Sequence, residues 1–150
     1  MNGMDLTAGS IALLAAGKDM LNNTVSVSGL LKAVSAGNIK GSNRIDVQGG
    51  EGRIGTITTK RALNGRISAS TKIDSIMVGG DFGSPSVSSS NDIGTVTIKG
   101  NMNSGSLLRA ADQILSLTVN GNINEGATVR AKRIGSQTIG GSVSGDIVIG

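Results

Sequence analysis

Ile93-Gly-Thr-Val96-Thr-Ile98-Lys-Gly100-Asn101-Met102 leads on to Leu108-Arg-Ala110, and then the same beat restarts. The second pass is Ile114-Leu-Ser-Leu117-Thr-Val119-Asn-Gly121-Asn122-Ile123, followed by Val129-Arg-Ala131 and Ile134. Two passes of about twenty residues carry matching apolar positions and a matching Gly-Asn corner. Self-similarity at this period marks a stack of short windings, in which each layer buries its apolar side on the next.

Working outward, the opening apolar residues of successive passes are Ile11, Leu30, Ile54, Ile73, Ile93, Ile114 and Ile134, spaced 19, 24, 19, 20, 21 and 20 residues apart. A second apolar column follows at Leu14, Ala33, Ile57, Ile76, Val96 and Leu117, and Gln137 breaks it. A third runs through Met20, Ile39, Leu63, Phe82, Met102, Ile123 and Val143. Each pass then has an alternating pair such as Val25/Val27, Ile45/Val47, Leu108/Ala110 or Val129/Ala131. Alternation with period two describes a strand with one face buried. Gly occupies one corner at positions 37, 80, 100, 121 and 141, with Asp or Asn after it in most passes. These residue types favour a sharp bend through positive φ and local backbone hydrogen bonds.

The pattern predicts an all-β chain: a parallel β-helix (β-solenoid) of about seven coils, roughly 20 residues each, with three short strands per coil. The variable spacings do not suit a rigid six-residue repeat, and a right-handed winding is expected from the usual parallel crossover sense. At about 4.8 Å per coil the rod would be on the order of 30–35 Å long. One solenoid domain is expected over residues 1–150. The surplus in the second pass falls in Gln48-Gly-Gly-Glu-Gly-Arg53 and is expected to project as a loop.

Composition agrees with thin, repeated layers. Phe82 is the one aromatic residue, while Gly numbers 24 and Pro one. With neither Cys nor His, disulfides, thiol nucleophiles, most zinc sites and the usual general base are ruled out. A net charge of +4 without aromatic rings for base stacking argues against nucleic-acid binding. No apolar run is long enough to span a membrane as a helix. Ile11–Gly17 imitates the apolar part of a signal peptide, yet no Lys or Arg precedes it, so it is read as folded chain. Neither terminus shows a polar cap, which is expected of a segment of a longer array or of ends that stack on other copies.

Leu6-Thr-Ala-Gly-Ser-Ile11-Ala-Leu-Leu-Ala-Ala-Gly17-Lys-Asp-Met20-Leu-Asn-Asn-Thr-Val25 resembles the Gly-, Asn- and Ala-rich turns of β-helical repeats in large bacterial surface proteins, of the haemagglutinin-like adhesin and autotransporter-passenger type. The resemblance extends over nearly the whole chain as architecture and carries no active-site residues. It implies a secreted or cell-surface scaffold or stalk.

Three features bear on chemistry. The outward positions of the first strand, Thr56/Thr58, Ser75/Met77, Thr95/Thr97, Ser116/Thr118 and Ser136/Thr138, form a hydroxyl face broken early by Leu13/Ala15 and Lys32/Val34. Such a ladder resembles β-helical ice-binding proteins, although Thr is also a natural choice on any exposed strand. Asp92 and Asp112 stand just before the opening Ile of neighbouring passes and Asp74 just after its own, a corner that would suit a cation or an acid/base pair. Arg109, Arg130, Lys132 and Arg133 gather near the second strand as an anion-binding edge.

These features predict a non-enzymatic scaffold module, with no cofactor and no metal. Its partners would be other copies, end to end or side by side, flanking repeats, or a polysaccharide. The alternative is a surface-binding protein using the Thr/Ser ladder for ice or glycan; third is a remnant of a polysaccharide-active enzyme.

Overall fold

The computed structural model covers residues 1–150 and is all-β, with no helix. Every strand pairs in parallel with its counterpart one coil later, giving a β-solenoid of about seven turns. One side is an eight-stranded sheet built from Asp5–Ala8, Thr24–Val27, Arg44–Val47, Arg66–Ala69, Ser86–Ser89, Leu107–Ala110, Thr128–Ala131 and Asp146–Ile149. A second side is a seven-stranded sheet of Leu14–Ala15, Leu30–Ala36, Arg53–Thr59, Lys72–Val78, Asp92–Ile98, Gln113–Val119 and Arg133–Ile139. The third side is a true strand pair only at Asp19–Leu21 and Asn38–Lys40. Beyond that it narrows to one bridging residue per coil: Ile39, Leu63, Phe82, Met102, Ile123 and Val143.

The alternating pairs read from sequence are the inward residues of the eight-stranded sheet, in register from Leu6 through Val25, Ile45, Ile67, Val87, Leu108 and Val129 to Ile147. Ile54, Ile73, Ile93 and Ile114 stack in the same way in the seven-stranded sheet and are fully buried. Each such side chain contributes roughly 1.5–3 kcal/mol by leaving water. Phe82 fits inside the bridge column between Leu63 and Met102, so the one large ring is absorbed at a corner rather than across a sheet.

Three expectations need correcting. The second pass opens at Leu31, not Leu30: Leu31 pairs with Ile54 and is buried, while Leu30 pairs with Arg53 and is exposed. In a strand a shift of one residue exchanges the two faces. Val34 therefore points inward, and Ala33 and Ser35 are the outward pair beside Thr56 and Thr58. A further inward column, Ala36, Thr59, Val78, Ile98, Val119 and Ile139, was not anticipated. The loop is also shorter than expected: Arg53 already belongs to the strand and Gly52 is buried against the next coil, which leaves residues 48–51 projecting.

The corner glycines are needed for a different reason from the one their composition suggests. Gly37, Gly80, Gly100, Gly121 and Gly141 do not have positive φ. A Cβ on Gly121 would lie 2.3 Å from Asn101 Oδ1 and 2.7 Å from the Gly100 carbonyl. What fills that space is a ladder of side-chain amides and carboxylates. Asp81 Oδ1 accepts the Asn101 N–H, Asn101 Oδ1 accepts the Asn122 N–H, and Asn122 Oδ1 accepts the Ser142 N–H, each at 2.8 Å. Positive φ belongs instead to the next corner, at Gly41, Gly65, Gly105 and Gly126.

Candidate functional site

The seven-stranded sheet presents the predicted hydroxyl columns in register. Thr56, Ser75, Thr95, Ser116 and Ser136 form one, and Thr58, Met77, Thr97, Thr118 and Thr138 the other. Neighbours within a column are about 4.8 Å apart, and the two columns are separated by about two residue rises, near 6.6 Å. Met77 interrupts the face at 46% exposure, and exposed Leu115 adjoins it.

The predicted carboxylate corner does not form. Asp92 aligns with Lys72, whereas the Asp112 backbone N–H donates to Asn91, so the two aspartates occupy different columns. Asp74 accepts from Arg53 Nε at 2.8 Å and lies 3.5 Å from Lys72 Nζ. Asp112 is held by Arg133 at 3.2 Å and Lys132 at 3.9 Å. No group of three or more acidic residues is arranged to hold a metal ion.

The basic edge divides in two. Lys132 and Arg133 are both engaged by Asp112, so half of the predicted set shares one internal counter-charge. Arg109 and Arg130 stand outward on the eight-stranded sheet, directly opposite each other on neighbouring strands, and neither makes an ion pair. Like charges placed opposite one another destabilise a sheet. At 5 Å in water the repulsion is about 0.8 kcal/mol, and more beside a protein surface. Two shallow grooves meet at Arg109. One, of about 200 Å³, is lined by Ser88, Ser89, Ser90, Arg109 and Ala111. The other, of about 150 Å³, runs beside Arg109, Arg130 and Lys132.

A second opposed pair, Arg44 and Arg66, lies on the same sheet, and the sequence reading overlooked what surrounds it. Asp46 is 5% exposed, accepts from Arg44 Nε at 2.5 Å and also accepts from Ser68 Oγ. Burial alone would raise its pKa. The bonds from Ser68 and Arg44, with the charges of Arg44 and Arg66, outweigh that and hold it below the ordinary 3.8. The signal was present in Arg44-x-Asp46 and Arg66-x-Ser68, where period two puts all four side chains on one outer face. Asp46 also borders a groove of about 440 Å³ with Thr7, Ser26, Ser28 and Gln48.

Sequence reasoning also missed a polar pair inside the coil. Asn23 and Asn43 are buried, and Asn43 Oδ1 accepts from both the backbone N–H and the side chain of Asn23. Asn43 in turn donates to the Met20 carbonyl at 2.8 Å. These bonds tie successive corners together where an unpaired amide would cost about 1–3 kcal/mol. No protein-family model matches the chain, and no curated protein or solved structure matches it significantly.

Proposed function

We propose that this chain is a non-enzymatic structural module, a stiff rod that spaces or displays other parts of a secreted or cell-surface bacterial protein. The observation that supports it is the unbroken axial ladder. Backbone hydrogen bonds number 104 in 150 residues, and the apolar core runs as one cluster from Leu14 to Ala131. Bending such a rod would shear many parallel bonds at once, which makes stiffness the property this architecture supplies best. Its partners are further windings, in the same chain or another copy. The coil from Ile134 to Ile149 presents exposed Val143 and Ile149 and half-buried Ile134, Ile139 and Ile147.

The reading is tested by labelling intact cells with antibody and by light scattering of the purified chain over a concentration series. It expects surface labelling and a mass that grows with concentration by end-to-end addition. A purely internal location, or release of reducing sugar from acidic polysaccharides, would contradict it.

A second reading is favoured by the register of the Thr and Ser columns, whose regular spacing would order water or hydrogen-bond a glycan surface. Inhibition of ice recrystallisation, lost in Thr97→Tyr, would support it. Absence of any effect on ice or on glycan arrays would remove it.

A further inference from the structure

The geometry points to an oxyanion-binding site at Arg109 and Arg130, and we propose that it takes the sulfate or phosphate groups of an acidic polysaccharide. The proposal stands apart from the scaffold reading and rests on different observations. Two guanidinium groups opposed on adjacent strands repel one another unless an anion lies between them. The fold contains its own control. Arg44 and Arg66 are opposed in register in the same way, and there Asp46 bonds to Arg44 and sets its charge beside Arg66. At Arg109 and Arg130 the equivalent anion is not part of the chain. The nearby acids are Asp112, already engaged by Lys132 and Arg133, and Asp146, which pairs with Thr128 diagonally across from Arg130 and bonds to neither arginine.

Stacked strands place the two arginine Cα atoms about 4.8 Å apart. Both forks can therefore converge on different oxygens of one tetrahedral oxyanion through charge-assisted hydrogen bonds, which guanidinium forms well. The groove at Arg109 reaches one coil back to Ser88 and across that coil to Ser90, whose hydroxyls can donate to and accept from sugar hydroxyls. A linear glycan lying along the axis would use both features. A nucleic acid would find phosphate contacts but no aromatic side chain on which to stack its bases.

The test is calorimetric titration of the full chain at low ionic strength with dextran sulfate, neutral dextran and phosphatidylglycerol vesicles. Dextran sulfate is expected to bind and neutral dextran not to. The double variant Arg109→Gln/Arg130→Gln should bind dextran sulfate about tenfold more weakly or worse. Arg44→Gln/Arg66→Gln removes the same formal charge and should stay within about twofold of wild type, because Asp46, bonded to Arg44, already places a carboxylate beside that pair. Ser88→Asp keeps both arginines, gives Arg109 an internal partner, and should weaken binding as strongly as the double glutamine variant. Equal weakening by the two double variants would overturn the site in favour of diffuse charge attraction. Failure of wild type to bind dextran sulfate, or binding to vesicles alone, would overturn the polysaccharide assignment.

Discussion

Two arginine pairs face outward on one sheet, and the chain treats them differently. Arg44 is bonded to a nearly buried carboxylate, Asp46, which Ser68 also fixes and whose charge acts on Arg66 without a direct bond. Arg109 and Arg130, three strands further along, have Ser88 and Val148 as their column neighbours and make no ion pair. The first pair is a finished structural element. The second leaves the same electrostatic demand open to solvent. Both pairs are parallel and in register, but Arg44 and Arg66 open their strands while Arg109 and Arg130 stand two positions further in, in the column of Asp46 and Ser68. The carboxylate beside the first pair is a side-chain feature that substitution can remove.

The largest expected effect comes from opening the closed pair. Asp46→Ala removes the acceptor of Arg44 and Ser68 and should lower unfolding stability by about 1–3 kcal/mol, discounted because Arg44 is half exposed. The same variant should acquire dextran sulfate binding at Arg44 and Arg66, detectable as a second calorimetric site. Loss of stability without new binding would show that an opposed pair is insufficient to make a site.

Acid should open it reversibly. The folded-state pKa of Asp46 lies below its ordinary 3.8, so its stabilisation is fully present above that value and is lost as pH falls through the lowered one. Denaturant unfolding between about pH 5 and pH 2 should therefore show a steeper decline in wild type than in Asp46→Asn. Parallel declines would mean that Asp46 gains nothing from its partners.

The smallest effect comes from relieving the open pair. Arg130→Gln should raise stability at low salt by about 0.2–1 kcal/mol, and the gain should vanish as salt screens the repulsion. Arg44→Gln should move stability the other way, since it deprives Asp46 of a partner. Thermal melts at two ionic strengths separate these signs.

How much of this was legible in advance follows from which signals are periodic. The parallel solenoid could be read because Ile54, Ile73, Ile93 and Ile114 recur at nearly constant spacing and each buries itself on the last. The frame failed at Leu30-Leu31, where two adjacent leucines both fit an apolar column and only the neighbouring coil decides which turns inward. Gly121 could be seen to be required, but not why, because its constraint is the Asn101 side chain one coil away rather than its own φ. Arg109 and Arg130 were found as a cationic edge. That Lys132 and Arg133 belong to Asp112, and that Asp46 serves the other pair, depends on side-chain placement across coils, which residue spacing does not encode.

The most direct measurement is a single NMR titration of the wild-type chain with sodium sulfate, following the arginine Nε–Hε resonances of both pairs together. Saturable shifts are predicted at Arg109 and Arg130, while Arg44 stays fixed in its bond to Asp46 and Arg66, beside the same carboxylate, shifts far less. Shifts of equal size at all four, or at none, would contradict it.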